Sequence, residues 1–190
     1  MYLNCTTEDS ARRQRQFELL LLDKMAVKPY NQITVGKLCE EVGISRNAFY
    51  RYFDSKDDVL HALIDHTLLN YYQSQLDHPQ NIEAYREQIV PFLLYWRSQK
   101  PLLDALQKNT LDGKLLERCM NHNMQRHFDE AHYPLMGTGE GRYQVMMFAI
   151  NGIFSLILDW HHKGYSQTIP EMTEVLERIM LKPLVMLSME

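Results

Sequence analysis

A glycine at position 43, set between two short stretches that are each apolar on one side, does most to narrow the folds open to this chain. Thr34 can cap a helix, and Val35, Leu38, Cys39 and Val42 then fall at i, i+3, i+4 and i+7, one buried stripe. Gly43 stands where a left-handed residue would end that helix. Ile44 is an apolar anchor in the turn, and Ser45 can cap the next helix. Beyond it Phe49, Tyr52 and Phe53 share one side, while Arg46, Asn47, Tyr50 and Arg51 fan out over the other. Asp54 breaks the run. Ser55, with Asp58 three residues on, is a capping-box-like start for a further helix. Cys39 is small enough to let the second helix cross the first closely.

Two short helices around a glycine turn, the second polar and studded with aromatics, follow helix-turn-helix logic. The second helix would read bases in the major groove of DNA, and cap residues would meet phosphates. An ordinary three-helix corner whose polar face meets only water has the same spacing. The resemblance of residues 12–60 to the DNA-binding domain of the TetR family of bacterial transcription regulators separates the two. It is carried by Thr34-Val35, Leu38-Cys39, Val42-Gly43-Ile44-Ser45, Phe49-Tyr50-Arg51-Tyr52-Phe53 and Ser55-Lys56. The resemblance implies an all-α fold of about nine helices. An N-terminal three-helix DNA-binding domain (residues 1–60) would precede a larger helical effector-binding and dimerisation domain (residues 61–190). It also implies that Arg46, Asn47 and Ala48 read bases, and that Thr34, Ser45, Tyr50, Tyr52 and Lys56 hold phosphates. Many family members carry Gly-Thr where this chain has Asn47-Ala48, so no relative's operator can be borrowed. Chemically, Asn47 can pair with an adenine edge and Ala48 can touch a thymine methyl. Cys39 replaces the usual alanine, a change conservative in volume.

Charge tests the DNA-binding reading. The net charge of −4 is a mild warning against a polyanionic partner. Residues 1–60, however, hold nine Lys/Arg and nine Asp/Glu, and the remaining 130 hold eleven and fifteen. The deficit therefore lies entirely in the second part. Arg12, Arg13 and Arg15 cluster early, and Arg46, Arg51 and Lys56 flank the recognition face. Affinity should accordingly be modest and sensitive to salt, and two copies per operator would compensate. Cys5, Cys39 and Cys119 are odd in number and widely spaced, which argues against a disulfide framework and for a reducing compartment. The start of the chain is polar, and the longest apolar stretch, 145–158, is too short to span a bilayer. The expectation is a cytoplasmic protein with no membrane partner.

Helical periodicity dominates elsewhere. Helices are expected at about 7–27, 55–76, 81–98 (with Pro91 inside), a short one from Pro101, 110–132, 142–163 and from Pro170 onward, with a loop at 134–141. In the late apolar segment, Phe148, Gly152, Trp160 and Gly164 resemble the penultimate helix of a TetR subgroup that includes activator-type regulators of dihydroxyacetone kinase genes. In the family the last two helices pair with their symmetry mates. Here Met146, Ile150, Ile153, Ile157 and Trp160, with Val175, Ile179 and Met186, would supply a homodimer interface, or bury only within the monomer. Pairing would set two recognition helices about one DNA turn apart, matching a palindromic double-stranded operator.

Tyr85, Phe92, Trp96, Met120, Met124, Phe128, Met147 and Phe148 could line an effector cavity, although such a stripe is also what plain core looks like. The effector would be an unidentified small molecule or a protein partner. Cys119 and His122 lie three apart on one helix and could share a metal, but His127 points elsewhere, and no metal or cofactor is expected. The chain has no glycine-rich phosphate loop, nucleophile elbow or paired-carboxylate motif, so the reading is of a regulator, a repressor, and not an enzyme.

Overall fold

The computed structural model describes residues 7–73, 82–126 and 142–181. These residues form nine α-helices and no strand. They build two compact units, one from the described residues of Met1–Leu69 and Pro101–Arg118, the other from those of Asn70–Lys100 and Cys119–Glu190. The N-terminal helix-turn-helix lies in the first, and the architecture is all-α with a larger helical C-terminal part, as the sequence implies.

In the first unit α1 (Glu8–Val27) opens on Thr7, whose hydroxyl accepts from Ser10 N. Its inner stripe is Gln14, Phe17, Glu18, Leu21 and Met25, spaced to lie on one face. Of the four leucines 19–22, only Leu21 is wholly inside, and Leu19 is 47% exposed. A 3-10 turn (Tyr30–Gln32) leads to α2 (Val35–Val42), α3 (Arg46–Phe49) and α4 (Lys56–Gln73). Phe17 meets Phe49 edge-on at 5.2 Å and Phe53 at 5.9 Å, and Phe49 lies 5.4 Å from Phe53. All three rings are buried. Each such pair contributes about 0.5–1.5 kcal/mol beyond its buried area.

Two ionic contacts cross this unit. Glu18 is fully buried on α1, and its carboxylate takes Arg15 Nη1 at 2.6 Å and His66 Nδ1, on α4, at 2.8 Å. A carboxylate without such partners would be costly to bury. Asp65 on α4 receives both arms of the Arg118 guanidinium, Nε at 2.7 Å to Oδ1 and Nη2 to Oδ2. Arg118 lies on α7 (Asp112–Arg126), which follows α6 (Lys100–Lys108).

In the second unit α5 (Ile82–Ser98) lies along α9 (Ile169–Leu181) and also touches α8 (Arg142–His162). Pro91 is exposed and sits within α5, which stays helical through it. Arg86 Nε reaches Glu177 Oε1 at 3.3 Å. The core is aromatic: Trp96 meets Phe154 edge-on at 5.0 Å, and Phe92 lies 6.1 Å from Phe154. After α8 the chain reverses through Gly164 (φ 63°) and Tyr165 (φ 58°). A non-glycine residue there carries about 1–2 kcal/mol of backbone strain. Tyr165 is held by its ring against Trp160 at 4.9 Å and by its hydroxyl 2.9 Å from His161 Nδ1.

The loop expected at 134–141, the tail of the helix expected to reach 132, and the segment beyond 181 lie outside the described residues. Among the described residues no helix is long and apolar enough to cross a membrane.

His61, on α4, gives this packing a pH signature. Its Nε2 is buried without a hydrogen-bond partner among the described residues, and its Nδ1 lies 3.9 Å from Asp58. Burial, then the charges of Arg118 and Lys114, push its imidazole below the ordinary 6.5, against weaker pulls from Glu117 and Asp58. The unfolded chain therefore binds this proton more readily, and the contribution of His61 to stability is lost as pH falls from about 6.5 toward the lower folded value. Urea unfolding from about pH 7.5 to about pH 5 is expected to show a shallower loss for His61→Gln than for the wild type. Equal losses would contradict this assignment.

Candidate nucleic-acid interface

The helix-turn-helix is built by local chemistry. Thr34 Oγ1 accepts from Lys37 N at 3.3 Å, opening α2, and Ser45 Oγ accepts from Ala48 N at 3.1 Å, opening α3. Each hydroxyl keeps its own proton to donate outward, because a hydroxyl is one donor with two acceptor sites. Gly43 ends α2 at φ 77°, and its N–H and that of Ile44 return to Cys39 O at 2.9 and 3.0 Å. Leu38 and Cys39 are buried, while Val35 and Val42 are half-buried. After Phe49 the bonding tightens: Arg51 N donates to Ala48 O and Tyr52 N to Phe49 O, so the turn carries on to Phe53 beyond the four-residue helix. Arg46, Asn47, Tyr50 and Arg51 are exposed, and Ala48 and Tyr52 half-exposed. Tyr50 is 52% exposed, its ring 5.4 Å from Phe49.

Two charged groups differ from free surface cations. The Arg46 guanidinium lies over Gly36 of α2, where an added Cβ would collide with it. Glycine there leaves room for the Arg46 guanidinium, whose flexible end would otherwise have to shift. The Lys56 ammonium donates to Tyr30 O at 2.6 Å and Ile33 O at 2.9 Å, and stands 3.9 Å from the Tyr30 ring centre. Burial pulls its pKa below the ordinary range, partly offset by Asp57. The Tyr30 hydroxyl donates to Asp57 Oδ1 at 2.6 Å, and burial followed by that bond raises the phenol well above its ordinary value. One Lys56 proton is left for a further acceptor.

At the start of α4, Ser55 Oγ accepts from Asp58 N at 3.2 Å, and Asp58 Oδ2 accepts from Asp54 N at 3.1 Å. This is a capping box shifted by one residue on its return arm. The early arginines have partners within the chain. Arg12 pairs with exposed Asp9 at 2.6 Å, Arg15 with buried Glu18, and Arg13 Nη1 reaches Gln16 Oε1 at 3.1 Å and Val42 O at 3.4 Å. Burial raises the Cys39 thiol, with Arg46 opposing. A buried thiol of that kind is packing and not a nucleophile.

In the second unit, Trp96 is fully buried and its indole N–H has no partner among the described residues, Phe92 is half-buried, and Met120 and Met147 are half-buried beside Asn151. Phe148 is 79% exposed. The side chains of Tyr85 and Met124, and all of Phe128, lie outside the described residues. Among the residues expected to pair two subunits, Ile157 and Trp160 are buried in the single chain, with Trp160 Nε1 donating to Gln167 O at 2.9 Å. They can support such a surface only from beneath. Ile150 is 9% exposed, Ile153 and Val175 are half-buried, and Ile179 is 41% exposed. The side chain of Met146, and all of Met186, lie outside the described residues. Among the described residues no three His, Cys, Asp or Glu side chains converge as metal ligands.

A cap substitution separates local stability from the outer face. Ser45→Ala is expected to cost about 1 kcal/mol by leaving Ala48 N–H without its acceptor, whereas Tyr50→Ala at a half-exposed site costs under about 0.5 kcal/mol. Denaturant melts of the two variants read both values, and the reverse order would contradict the assignment of Ser45 as the cap.

The same segment is recognisable against known proteins. Two proteins of Haemophilus influenzae, strains PittGG and ATCC 51907 / DSM 11121 / KW20 / Rd, each described as nucleoid occlusion factor SlmA, are 38% identical to this chain over 55 residues. That stretch is 29% of this chain and only 25% of either relative. Residues 24–63 match the family described as bacterial regulatory proteins, tetR family. The matched residues hold the helix-turn-helix and the start of α4, so the likeness to the tetR family lies in the segment whose geometry is described above.

Proposed function

We propose that the chain is a homodimeric, sequence-specific DNA-binding transcription regulator of the cytoplasm, a repressor, controlled by an effector taken up in its C-terminal part. The observation that carries this reading is the outward face of the second helix of the motif. Arg46, Asn47 and Tyr50 are exposed there, on a helix capped by Ser45 and anchored from behind by Phe49. Arg46 would leave its berth over Gly36 to meet a base edge, Asn47 would pair with an adenine, and Ala48 would touch a thymine methyl. Thr34 and Ser45 would donate their free hydroxyl protons to phosphates, joined by Tyr50, Tyr52 and the remaining proton of Lys56.

The functional division we assign is residues 1–60 for DNA and 61–190 for effector and pairing. Within 61–190, half-exposed Val175 and exposed Ile179 on α9 and half-buried Ile153 on α8 would form the subunit contact, with Ile157 and Trp160 buried in the single chain. The indole N–H of Trp96, without a partner among the described residues, is a donor that an acceptor-bearing effector would satisfy, since a buried N–H without a partner costs about 1–3 kcal/mol. An effector that shifts the separation of the two DNA-reading heads would change affinity through a coupling of about 1–3 kcal/mol.

A second reading is favoured by the similarity to proteins described as nucleoid occlusion factors. In it the DNA-bound chain acts as an adaptor, and its C-terminal part takes a protein partner.

Selection from a random duplex library tests the main reading. A palindromic motif is expected, and the Tyr50→Ala, Lys56→Ala double variant should bind it at least about ten-fold more weakly. Recovery of no motif, or equal binding by the variant, would count against DNA recognition. In sedimentation the wild type should run as a dimer and Ile179→Glu should shift toward monomer, because an apolar subunit contact does not accept an unpaired charge.

A further inference from the structure

The turn between α6 and α7 is joined to the DNA-binding segment by a cluster of side-chain bonds within the first compact unit. Asn109 Oδ1 accepts from Tyr30 N at 2.6 Å. Asn109 Nδ2 donates to Met25 O at 3.3 Å and to Ala105 O at 2.7 Å. Beside it, Lys108 Nζ donates to Ala26 O at 2.5 Å. Met25 and Ala26 lie in the last turn of α1, where carbonyls have no partner in their own helix. Tyr30 opens a 3-10 turn that has no side-chain cap of its own. One amide thus closes a helix C-terminus and opens the next turn, from 79 residues away.

What Asn109 holds leads on to the proposed interface. The 3-10 turn presents Tyr30 O and, just after it, Ile33 O to the Lys56 ammonium, lays the Tyr30 ring beneath it, and binds Asp57 through the Tyr30 hydroxyl. Lys56 and Asp57 are the first two residues of α4. A separate feature supports a built contact: Thr110, next to Asn109, has φ 55°, a conformation that non-glycine residues keep only where surroundings hold it.

We propose that Asn109 is a positioning residue for DNA binding: through the Tyr30 turn it sets where the Lys56 ammonium and the first turn of α4 stand against the phosphate backbone. This rests on the reading of Lys56 as a phosphate contact. Asn109 itself touches no DNA.

The test uses the full chain, a random-sequence duplex of about 30 base pairs at low salt, and fluorescence anisotropy. Asn109→Ala and Lys56→Met should each weaken binding roughly five-fold. The double variant should be no weaker than the worse single, as for two residues acting through one contact. Asn109→Asp keeps an acceptor for Tyr30 N–H and should recover most of the affinity, and it also serves if the alanine variant fails to fold. Amide exchange at Tyr30 should accelerate in Asn109→Ala and stay slow in Asn109→Asp. Additive losses in the double variant, or unchanged affinity in a folded Asn109→Ala, would overturn the proposal. If the wild type binds no duplex, the DNA-binding reading itself fails and the interface role of Asn109 with it. Exchange at Tyr30 then decides the contact alone: acceleration in Asn109→Ala upholds its hold on the turn, and unchanged exchange overturns that too.

Discussion

The packing of Phe17 against Phe49 and Phe53 is the constraint on which the exposed face of α3 depends. α3 has four residues, too short to persist alone, since a helix of that length never repays its nucleation. It exists because Phe49 is buried against α1 and because Ser45 and the tightened turn through Phe53 satisfy its ends. The polar side of the helix then points outward by geometry alone. Substitutions that loosen the ring cluster would reach the proposed base contacts without altering any residue that meets DNA.

Electrostatics are arranged with the same economy. The first sixty residues are neutral in sum, and several of their cations are engaged within the chain: Arg15 neutralises buried Glu18, Arg13 reaches the end of α2, and Lys56 spends two protons on backbone carbonyls. Arg12, with an exposed partner, and Arg51, out on the recognition face, are the better placed to exchange toward a phosphate. On the proposed reading, few loosely held cations limit how many phosphates one chain would neutralise. The proposed base contacts of Arg46 and Asn47 would then carry more of the selectivity.

Local rules carried the sequence reading a long way, for reasons visible in particular residues. Thr34, Gly43, Ser45 and Ser55 act on backbone groups within four positions, so spacing alone located both ends of α2 and the starts of α3 and α4, while α3 itself stops at Phe49 and not at Asp54. The faces of α3 follow from the same short-range geometry. What escaped was tertiary. Gln14 and Glu18 fall on the buried stripe of α1, yet their polarity hid them until His66 and Arg15 were seen to satisfy the carboxylate. Four consecutive leucines cannot all share one face of α1, and Leu19 falls on its outer side. The Arg46 guanidinium lying over Gly36, and the bond from Tyr30 N–H to Asn109 across 79 residues, are beyond the reach of any periodicity.

The first compact unit is discontinuous in sequence, taking α6 and the opening of α7 into the same body as the helix-turn-helix. Leu103, Leu106 and Leu115 are buried members of it, and Arg118 closes on Asp65. A chimera spliced after α4, with this reading head grafted onto a foreign body, would leave those leucines behind and strand a carboxylate on α4. Recombination in this lineage would therefore favour breakpoints that carry both stretches together, so that the specificity of the head and the framework beneath it are inherited as one piece.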